Sequence, residues 1–253
     1  MKQLLEIAKQ AALEGGAAII EVYEGADFGI ETKGDQSPLT KADRLAHKKI
    51  VSHLEPTGIP ILSEEGKAIP YEERKQWTQF WLVDPLDGTK EFIKRNGEFT
   101  VNIALIEHGK PVLGVVYTPV LGNLYWGIVG EGAFMADRKG NTKPLTCPST
   151  DLTQTGIRVV ASRSHLNDET QAFIDGLKEP QLVSMGSSLK FLMLAEGKAD
   201  VYPRFAPTME WDTGAAQAVV EAAGGEVLRH PENTPLEYNK ENLLNPYFWV
   251  RGK

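Results

Sequence analysis

The segment WLVDPLDGTKEF, residues 81–92, places two aspartates, a proline, a glycine and a threonine directly after a short apolar run. The apolar run has the length and composition of a buried β-strand, and the residues that follow it predict a tight turn at Asp87-Gly88. In such a turn, the carboxylates of Asp84 and Asp87 and the intervening carbonyl of Leu86 can converge on one point. Oxygen-only sets of this kind suit Mg²⁺ or another hard cation, but an Asx-type turn that bonds only its own backbone has the same pattern. The segment therefore predicts a strand that ends in either a structural turn or a cation site.

Three further acidic residues are candidates for the same site. Glu64, in the sequence EEG, ends the preceding strand candidate in the same way, and Asp212, in EWDTGAA, stands at the start of a predicted helix. Two of these acids have a structural interpretation of their own, because Asp212 can cap that helix and Asp43 completes a capping box that begins with Thr40. Carboxylates that gather at neighbouring strand ends repel one another unless a cation lies between them. If these acids are neighbours in the fold, the sequence predicts a metal site.

The residues after Asp87 predict a place for an anion. The Thr89 hydroxyl and the amides of Gly88 and Thr89 precede a helical turn through residues 90–92, where free N–H groups and the helix dipole attract phosphate. The formal net charge of −7 argues against a nucleic-acid polymer as partner, because such binding depends on clustered Lys and Arg. The chain therefore combines an acidic composition with one local site for a phosphate group.

Length and composition are those of an ordinary globular protein. With 253 residues, of which 42% are hydrophobic, the chain can bury a large core in one domain or in two closely joined lobes. Its longest apolar runs are far shorter than the roughly 18 residues that span a bilayer, and its first residues are charged. The single cysteine, Cys147, excludes an internal disulfide and a cysteine-based metal site. We expect no transmembrane segment and a cytoplasmic location, with the periphery of the inner membrane as the alternative.

The first half of the chain predicts two helices followed by strands, from the spacing of its apolar residues. The predicted elements are a helix over residues 4–22 that closes near residue 25, a helix that follows residue 40 and ends at 55–56, strands at 59–63 and 80–83, and an antiparallel meander over 100–135.

The second half predicts alternating strands and helices, after a polar segment at residues 144–155. The predicted strands are residues 157–162, 181–185, 199–203 and 226–229, and the predicted helices are residues 167–177, 188–195 and 211–223. We place a boundary near residue 150. It separates an N-terminal lobe, 1–150, with the metal-binding motifs and the antiparallel sheet, from a smaller C-terminal α/β lobe, 151–253, with Asp212.

Several of these motifs together resemble a known superfamily. DPLDGTKEF at residues 84–92, EEG at 64–66, and WDTGAA at 211–216 followed by a Gly-Gly pair are similar to the metal-dependent, lithium-sensitive phosphatases of the inositol monophosphatase superfamily. The similarity spans nearly the whole chain. Within the superfamily, residues 186–213 and the sequence ASRSH at 161–165 resemble the CysQ-type 3'(2'),5'-bisphosphate nucleotidases.

The resemblance implies a fold and an activity. The implied fold is a layered αβαβα sandwich of the α+β or α/β class. The implied enzyme is a Mg²⁺-dependent phosphatase of sulfur metabolism, which removes the 3'-phosphate of adenosine 3',5'-bisphosphate to give AMP without a covalent intermediate. The 3'-phosphosulfate analogue is a further expected substrate.

The resemblance also implies a role for individual residues. Glu64, Asp84 and the Leu86 carbonyl would hold one Mg²⁺, Asp84 would bridge to a second ion with Asp87 and Asp212, and the number of ions is two or three. Asp43 and the Thr89 hydroxyl would position and help to deprotonate the attacking water, with Glu64 sharing that task. The residues expected to contact the substrate are Asp87, Gly88, Thr89, Ser162, His165, Gly186, Ser187, Ser188, Lys190, Arg204 and Asp212.

Three other interpretations of the motifs remain open. A haloacid-dehalogenase-type phosphatase would use the first aspartate as a nucleophile, but here one extra residue separates the two aspartates. An inositol monophosphatase-type sugar phosphatase would act on inositol monophosphate or fructose 1,6-bisphosphate. A non-catalytic protein that binds a cation and a nucleotide would not need the pair of Asp43 and Thr89. The chain is expected to be a monomer or a homodimer.

Smaller expectations concern three residues. Gly214 stands where the nucleotidase branch usually has alanine, and glycine inside a helix costs about 1 kcal/mol. Lys94 and Arg95 follow the DPLDGTKEF motif. We expect both to be solvated, with attraction of the anionic substrate as the alternative.

Overall fold

The computed structural model describes residues 1–25, 28–32, 38–161 and 166–253. The helices in these ranges are α1 Lys2–Tyr23, α2 Lys41–Leu54, α3 Tyr71–Arg74, α4 Thr89–Ile93, α5 Asp168–Asp175, α6 Leu189–Ala195 and α7 Glu210–Ala222. The strands in the same ranges are β1 Glu31–Thr32, β2 Pro38–Leu39, β3 Ile61–Ser63, β4 Gln79–Asp87, β5 Thr100–Glu107, β6 Lys110–Thr118, β7 Asn123–Ile128, β8 Gly132–Ala136, β9 Thr142–Leu145, β10 Arg158–Ala161, β11 Gln181–Ser184, β12 Val201–Arg204, β13 Gly225–Arg229 and β14 Phe248–Gly252.

Two sheets carry the architecture. The larger sheet has seven strands in the order β3-β4-β5-β6-β7-β8-β9, and β3 and β4 are parallel while the later pairs are antiparallel. The smaller sheet has five strands in the order β11-β10-β12-β14-β13, with β14 antiparallel to both of its neighbours. The antiparallel meander predicted for residues 100–135 is confirmed as β5 to β8.

Helices cover the faces of both sheets. The alternating side chains of β4 show the arrangement: Trp81 and Val83 pack with α1 and α2, whereas Phe80 and Leu82 pack with α6, α7 and the inner face of the smaller sheet. Helix α5 covers the outer face of the smaller sheet through Ile174. The order of layers is helix, sheet, helix, sheet, helix, so the predicted αβαβα sandwich is confirmed.

The DPLD segment differs from the turn that the sequence predicts. Strand β4 continues through it to Asp87, and the pairing with β5 shifts there, because Asp84 is opposite Asn102 and Asp87 is opposite Thr100. Three steps along β4 therefore match two along β5, which is the geometry of a bulge. The chain reverses one residue later, at Gly88, whose φ of 98° is accessible to glycine at little cost.

Five short elements have no counterpart in the sequence prediction. Strand β9 occupies part of the segment assigned as polar and irregular, and it carries a proline that an edge strand tolerates. Strand β14 lies between β12 and β13, so its existence depends on partners that are distant in sequence. The helix α3 and the pair of β1 and β2 are too short to give a periodic signal.

Helix α7 lies very close to the larger sheet, and Gly214 allows this approach. A Cβ atom at Gly214 would be 2.9 Å from Leu82 Cδ2 and 3.3 Å from the Tyr238 ring. The helix-propensity cost expected for this glycine is therefore accompanied by a packing reason for its presence.

Among the helices of the described ranges, none is both long enough and apolar enough to cross a bilayer.

Candidate active site

Four carboxylates from three elements form an acidic cluster, which we define as Glu64, Asp84, Asp87 and Asp212. Asp84 is 1% exposed, and its Oδ1 accepts a hydrogen bond from the backbone N–H of Leu86 at 3.0 Å. Burial raises the pKa of Asp84 well above its usual value, and the charges of the other three carboxylates and a hydrogen bond with Glu64 raise it further. These mutual effects place the four groups in one electrostatic environment.

The fold explains why these acids meet. Strands β3 and β4 run parallel, so their carboxyl ends lie at the same edge, and the backbone N–H of Glu64 donates to Val83 O at 3.1 Å. Asp212 is in the first turn of α7 and accepts from the backbone N–H of Met209 at 2.9 Å, so it also has the capping role that the sequence suggests. Part of Asp212 remains exposed, but burial of its carboxyl and then the charge of Asp87 raise its pKa to about 8.

The donor chemistry of the acidic cluster fits a hard cation. All its side-chain donors are oxygens, and burial together with the neighbouring negative charges raises the pKa of Asp84 and of Asp212, which a bound cation would offset. In the described ranges, no three acidic, histidine or cysteine side chains are already arranged as ligands around one point. Asp84 instead bonds Glu64, and Asp87 bonds hydroxyl and amide donors. The structure therefore brings the predicted ligands together without forming a finished coordination sphere.

Asp43 lies beside Thr89, as the resemblance implies. The Thr89 hydroxyl is 3.3 Å from Asp43 Oδ1 and 3.4 Å from the Leu86 carbonyl oxygen. The other oxygen of Asp43 accepts from the backbone N–H of Thr40 at 2.7 Å and from its hydroxyl at 2.5 Å, which completes the predicted capping box of α2. Asp43 is 2% exposed, so these bonds fix a buried carboxylate that faces Thr89.

A cavity of about 400 Å³ adjoins the acidic cluster through Asp87 and Asp212. Its wall includes six more residues that the sequence assigns to the substrate or its approach, namely Gly88, Gly186, Ser187, Ser188, Lys190 and Arg204. Lys94, whose alternative predicted role is attraction of the substrate, also lines it, as do Lys90, Glu91, Asn96 and Glu98, which had no predicted substrate role. Four other predicted site residues are not part of this wall, namely Asp43, Glu64, Asp84 and Thr89. Thr89 follows the wall residue Gly88 in the chain, and Asp84 is in the same strand as the wall residue Asp87.

Residues 186–188, which we call the substrate loop, bond Asp87 in this structure. The Ser187 hydroxyl donates to Asp87 Oδ2, and the backbone N–H of Ser188 donates to the same oxygen at 2.6 Å. Two buried residues of β5 join this network: the Thr100 hydroxyl lies 2.8 Å from the hydroxyls of both serines, and Asn102 Oδ1 lies 2.9 Å from that of Ser188. The sequence analysis missed Thr100 and Asn102, although polar residues inside the apolar run TVNIALI are a usable signal.

Lys190 and Arg204 bring positive charge to the cavity. Lys190 Nζ donates to the Ser187 carbonyl at 3.2 Å, and Arg204 Nη2 donates to the Pro207 carbonyl at 3.0 Å. The Nε atom of Arg204 is buried and has no hydrogen-bond partner in the described part of the chain. The side chains of Lys190, Arg204 and Tyr202 also line a second cavity of about 310 Å³.

Four of the remaining predicted residues have different outcomes. Ser162 and His165 lie outside the described residues. Lys94 lines the first cavity, whereas Arg95 donates to the carbonyls of Tyr23 and Gly25, so Arg95 is not simply solvated. Arg95 instead ties the loop after α4 to the end of α1.

Comparisons with known proteins give consistent results. The sequence profile of the Inositol monophosphatase family matches residues 1–247. The 3'(2'),5'-bisphosphate nucleotidase CysQ of Escherichia coli O157:H7 is 47% identical over 251 residues, which cover 98% of this chain and 99% of that protein. The CysQ nucleotidase of Salmonella typhimurium is 48% identical with the same coverage. The crystal structure of CysQ from Bacteroides thetaiotaomicron is 48% identical and superposes with a TM-score of 0.87, covering 99% of this chain and 97% of the other.

Proposed function

The chain belongs to the inositol monophosphatase family, and we propose on that basis that it is a 3'(2'),5'-bisphosphate nucleotidase. It removes the 3'-phosphate of adenosine 3',5'-bisphosphate to give AMP and phosphate. The observation that carries this conclusion is the identity of 47% with a nucleotidase of that specificity, over nearly the full length of both chains. The acidic cluster beside a cavity with Lys190 and Arg204 supports the same activity, because it combines a cation site with a site for an anionic substrate.

The enzyme depends on Mg²⁺ in this proposal. Glu64, Asp84, Asp87 and Asp212, with the carbonyl of Leu86, would hold two or three ions. When bound there, Mg²⁺ supplies positive charge that offsets the negative charges of the carboxylates and of the phosphate. The support is the oxygen-only donor chemistry of a cluster in which neighbouring carboxylates contribute to the raised pKa of Asp84 and of Asp212.

Asp43 and Thr89 handle the attacking water in this proposal. The Thr89 hydroxyl donates to Asp43, so the lone pairs of Thr89 Oγ1 remain available to accept a hydrogen bond from water. Asp43 is held by Thr40 and can take up the proton through Thr89, while Glu64 can serve as a second acceptor. No side chain needs to attack the phosphorus atom.

The substrate lies across the cavity in this proposal. The scissile phosphate meets the amides of Gly88 and Thr89 next to Asp87, and the nucleotide extends along the substrate loop. Lys190 and Arg204 meet the second phosphate, since both bring positive charge to the wall and Arg204 keeps an unbonded Nε in the described structure. Ser162 and His165 stay proposed contacts on the sequence resemblance alone.

We further propose a cytoplasmic enzyme that works as a monomer or homodimer. The sole cysteine, Cys147, is buried, and burial raises the pKa of its thiol to about 11, which disfavours the reactive thiolate. Light scattering of the purified protein measures the oligomeric state.

A substrate panel tests the proposed function. Phosphate release is measured from adenosine 3',5'-bisphosphate, inositol 1-phosphate and fructose 1,6-bisphosphate, each with Mg²⁺ and with EDTA. We expect the highest kcat/KM for the adenosine bisphosphate, AMP as its product, and loss of activity in EDTA. A higher kcat/KM for the inositol ester would overturn the assignment to the nucleotidase branch.

A further inference from the structure

Thr100 lies at the centre of the polar network between the acidic cluster and the substrate loop. It is the first residue of β5, directly opposite Asp87 of β4, and it is 0% exposed. Its hydroxyl oxygen is 2.8 Å from Ser187 Oγ and 2.8 Å from Ser188 Oγ, and 3.1 Å from Asn102 Oδ1. One buried hydroxyl thus contacts both serines of a loop that is far away in sequence.

The number of available protons limits which hydrogen bonds of this network form together, and the Ser188 proton is shared between two possible acceptors, Thr100 Oγ1 and Asn102 Oδ1. Each hydroxyl has one proton, whereas Asp87 Oδ2 and Asn102 Oδ1 can only accept. The three closest hydroxyl contacts are satisfied together when Ser188 donates to Thr100, Thr100 donates to Ser187, and Ser187 donates to Asp87. In that order all three protons point along one chain towards the carboxylate.

The order has a consequence for the two serines. Their hydroxyl protons are used inside the network, and the backbone N–H of Ser188 also donates to Asp87. In this arrangement the hydrogen-bond donors of the two serines therefore serve Asp87 and its network, and are not available to a substrate phosphate. Ser187 also adopts a φ of 52°, a conformation that non-glycine residues rarely adopt and that surrounding bonds must hold.

We propose that Thr100 is a positioning residue, whose hydroxyl joins Ser188 and Ser187 to Asp87 and so fixes the substrate loop relative to the acidic cluster. This inference rests on the proposed function, because it assigns Asp87 to cation binding and residues 186–188 to the substrate. It adds a residue of the larger sheet that touches neither the substrate nor a cation. Without the Thr100 hydroxyl, the buried Ser188 hydroxyl and the partly buried Ser187 hydroxyl each lose a partner, and both the cation site and the loop lose order.

The test compares Thr100→Val with Thr100→Ser and with Thr118→Val. Valine keeps the shape of threonine but removes the hydroxyl, and serine restores it. Thr118 is the matched control, because it is also 0% exposed, in the next strand β6, and within the described ranges its hydroxyl bonds only the backbone of Asn123. The measurements are kcat and KM for adenosine 3',5'-bisphosphate, the Mg²⁺ dependence of kcat, and the Mg²⁺-induced rise in melting temperature.

We expect Thr100→Val to lower kcat/KM about tenfold, the scale of one buried hydrogen bond to a polar network. We also expect the Mg²⁺ concentration that gives half of the rise in melting temperature to be several-fold higher for this variant than for the wild type. Thr100→Ser should recover most of both properties, and Thr118→Val should keep the wild-type kcat/KM. Wild-type kcat/KM and Mg²⁺ response in folded Thr100→Val, or an equal loss in Thr118→Val, would overturn the inference.

A double-mutant cycle provides a second, independent test. Ser187→Ala breaks the same chain of hydroxyls at its last link, so Thr100→Val together with Ser187→Ala should lose little more than the worse single variant. Losses that multiply would show that the two hydroxyls act separately and would contradict the proposal. Failure of the proposed function is distinguishable, because it appears in the wild type as a preference for another phosphate ester. In that case the Thr100 variants are assayed with that ester. The rise in melting temperature with Mg²⁺ is measured without substrate, so it tests the inference whichever ester is preferred.

Discussion

Thr89 has one hydroxyl proton and two acceptors within reach, the carboxylate of Asp43 at 3.3 Å and the carbonyl of Leu86 at 3.4 Å. The carboxylate is the stronger acceptor, because hydrogen bonds to ionised groups are stronger than those to neutral ones. Asp43 cannot turn away, since Thr40 holds its other oxygen through two bonds. The direction of the Thr89 O–H bond is therefore set by the cap of α2, whose cap residue Thr40 precedes Thr89 by 49 residues.

Removal of this hydroxyl separates chemistry from binding. We expect Thr89→Val to lower kcat at least about 100-fold, the scale of a lost proton-transfer group, with a dissociation constant for adenosine 3',5'-bisphosphate close to that of the wild type. Thr89→Ser is the control and should retain most of the turnover. Calorimetry measures binding, and phosphate release measures kcat. Unchanged phosphate release from Thr89→Val would count heavily against the assignment of Thr89 to the attacking water.

The packing of α7 on the larger sheet sets the position of Asp212 at its N-terminal end. Two glycines of the sheet make room for the helix, since a Cβ atom at Gly114 of β6 would be 2.1 Å from Ala215 O, and one at Gly127 of β7 would be 2.8 Å from Ala222 Cβ. The contact at Gly114 is with backbone, so no side-chain rotation can relieve it. The close contact between Gly114 and the backbone of Ala215 therefore fixes α7 on the larger sheet and, with α7, the position of Asp212 in the acidic cluster.

A methyl group at Gly114 should push α7 away from the sheet. We expect Gly114→Ala to lower the free energy of unfolding by about 3 kcal/mol, at the upper end for overpacked cores, and to lower kcat because Asp212 moves with the helix. Gly176→Ala is the matched control, since Gly176 has a φ of −76° and a Cβ atom there meets only ordinary contacts. Its free energy of unfolding should change by less than about 1 kcal/mol. Denaturant titration decides the comparison, and an equal loss in both variants would contradict the packing argument.

Across the whole molecule, the sequence predicted what depends on neighbours along the chain. The apolar runs of β4 and β5, the Thr40 cap of α2 and the carboxylates at strand ends are local patterns, and the layered fold agrees with them. The network at Asp87 is not local, because the Ser188 amide that bonds Asp87 comes from 101 residues later. Its members Thr100 and Asn102 look like ordinary strand residues until the substrate loop is packed on them. The bulge in β4 escaped prediction for the same reason, since only the pairing with β5 reveals it.

Mg²⁺ should stabilise the whole fold, because its proposed ligands come from β3, β4 and α7, which belong to different parts of the chain. A ligand that binds only the folded state at 100 times its dissociation constant adds about 2.7 kcal/mol of stability. We expect the melting temperature to rise with Mg²⁺ and to return to its starting value with EDTA. In Asp212→Asn the rise should be much smaller, whereas the metal-free variant should be at least as stable as the metal-free wild type, since folding raises the pKa of Asp212 to about 8 and the carboxyl therefore destabilises the metal-free fold at neutral pH. Asp175→Asn is the matched control, because Asp175 is an exposed aspartate on α5, in the outer helical layer, and it should leave the Mg²⁺ response unchanged. An equal Mg²⁺ response in Asp212→Asn and the wild type would show that Asp212 does not hold the ion, and the proposed ligand set would then lose its link between the larger sheet and α7.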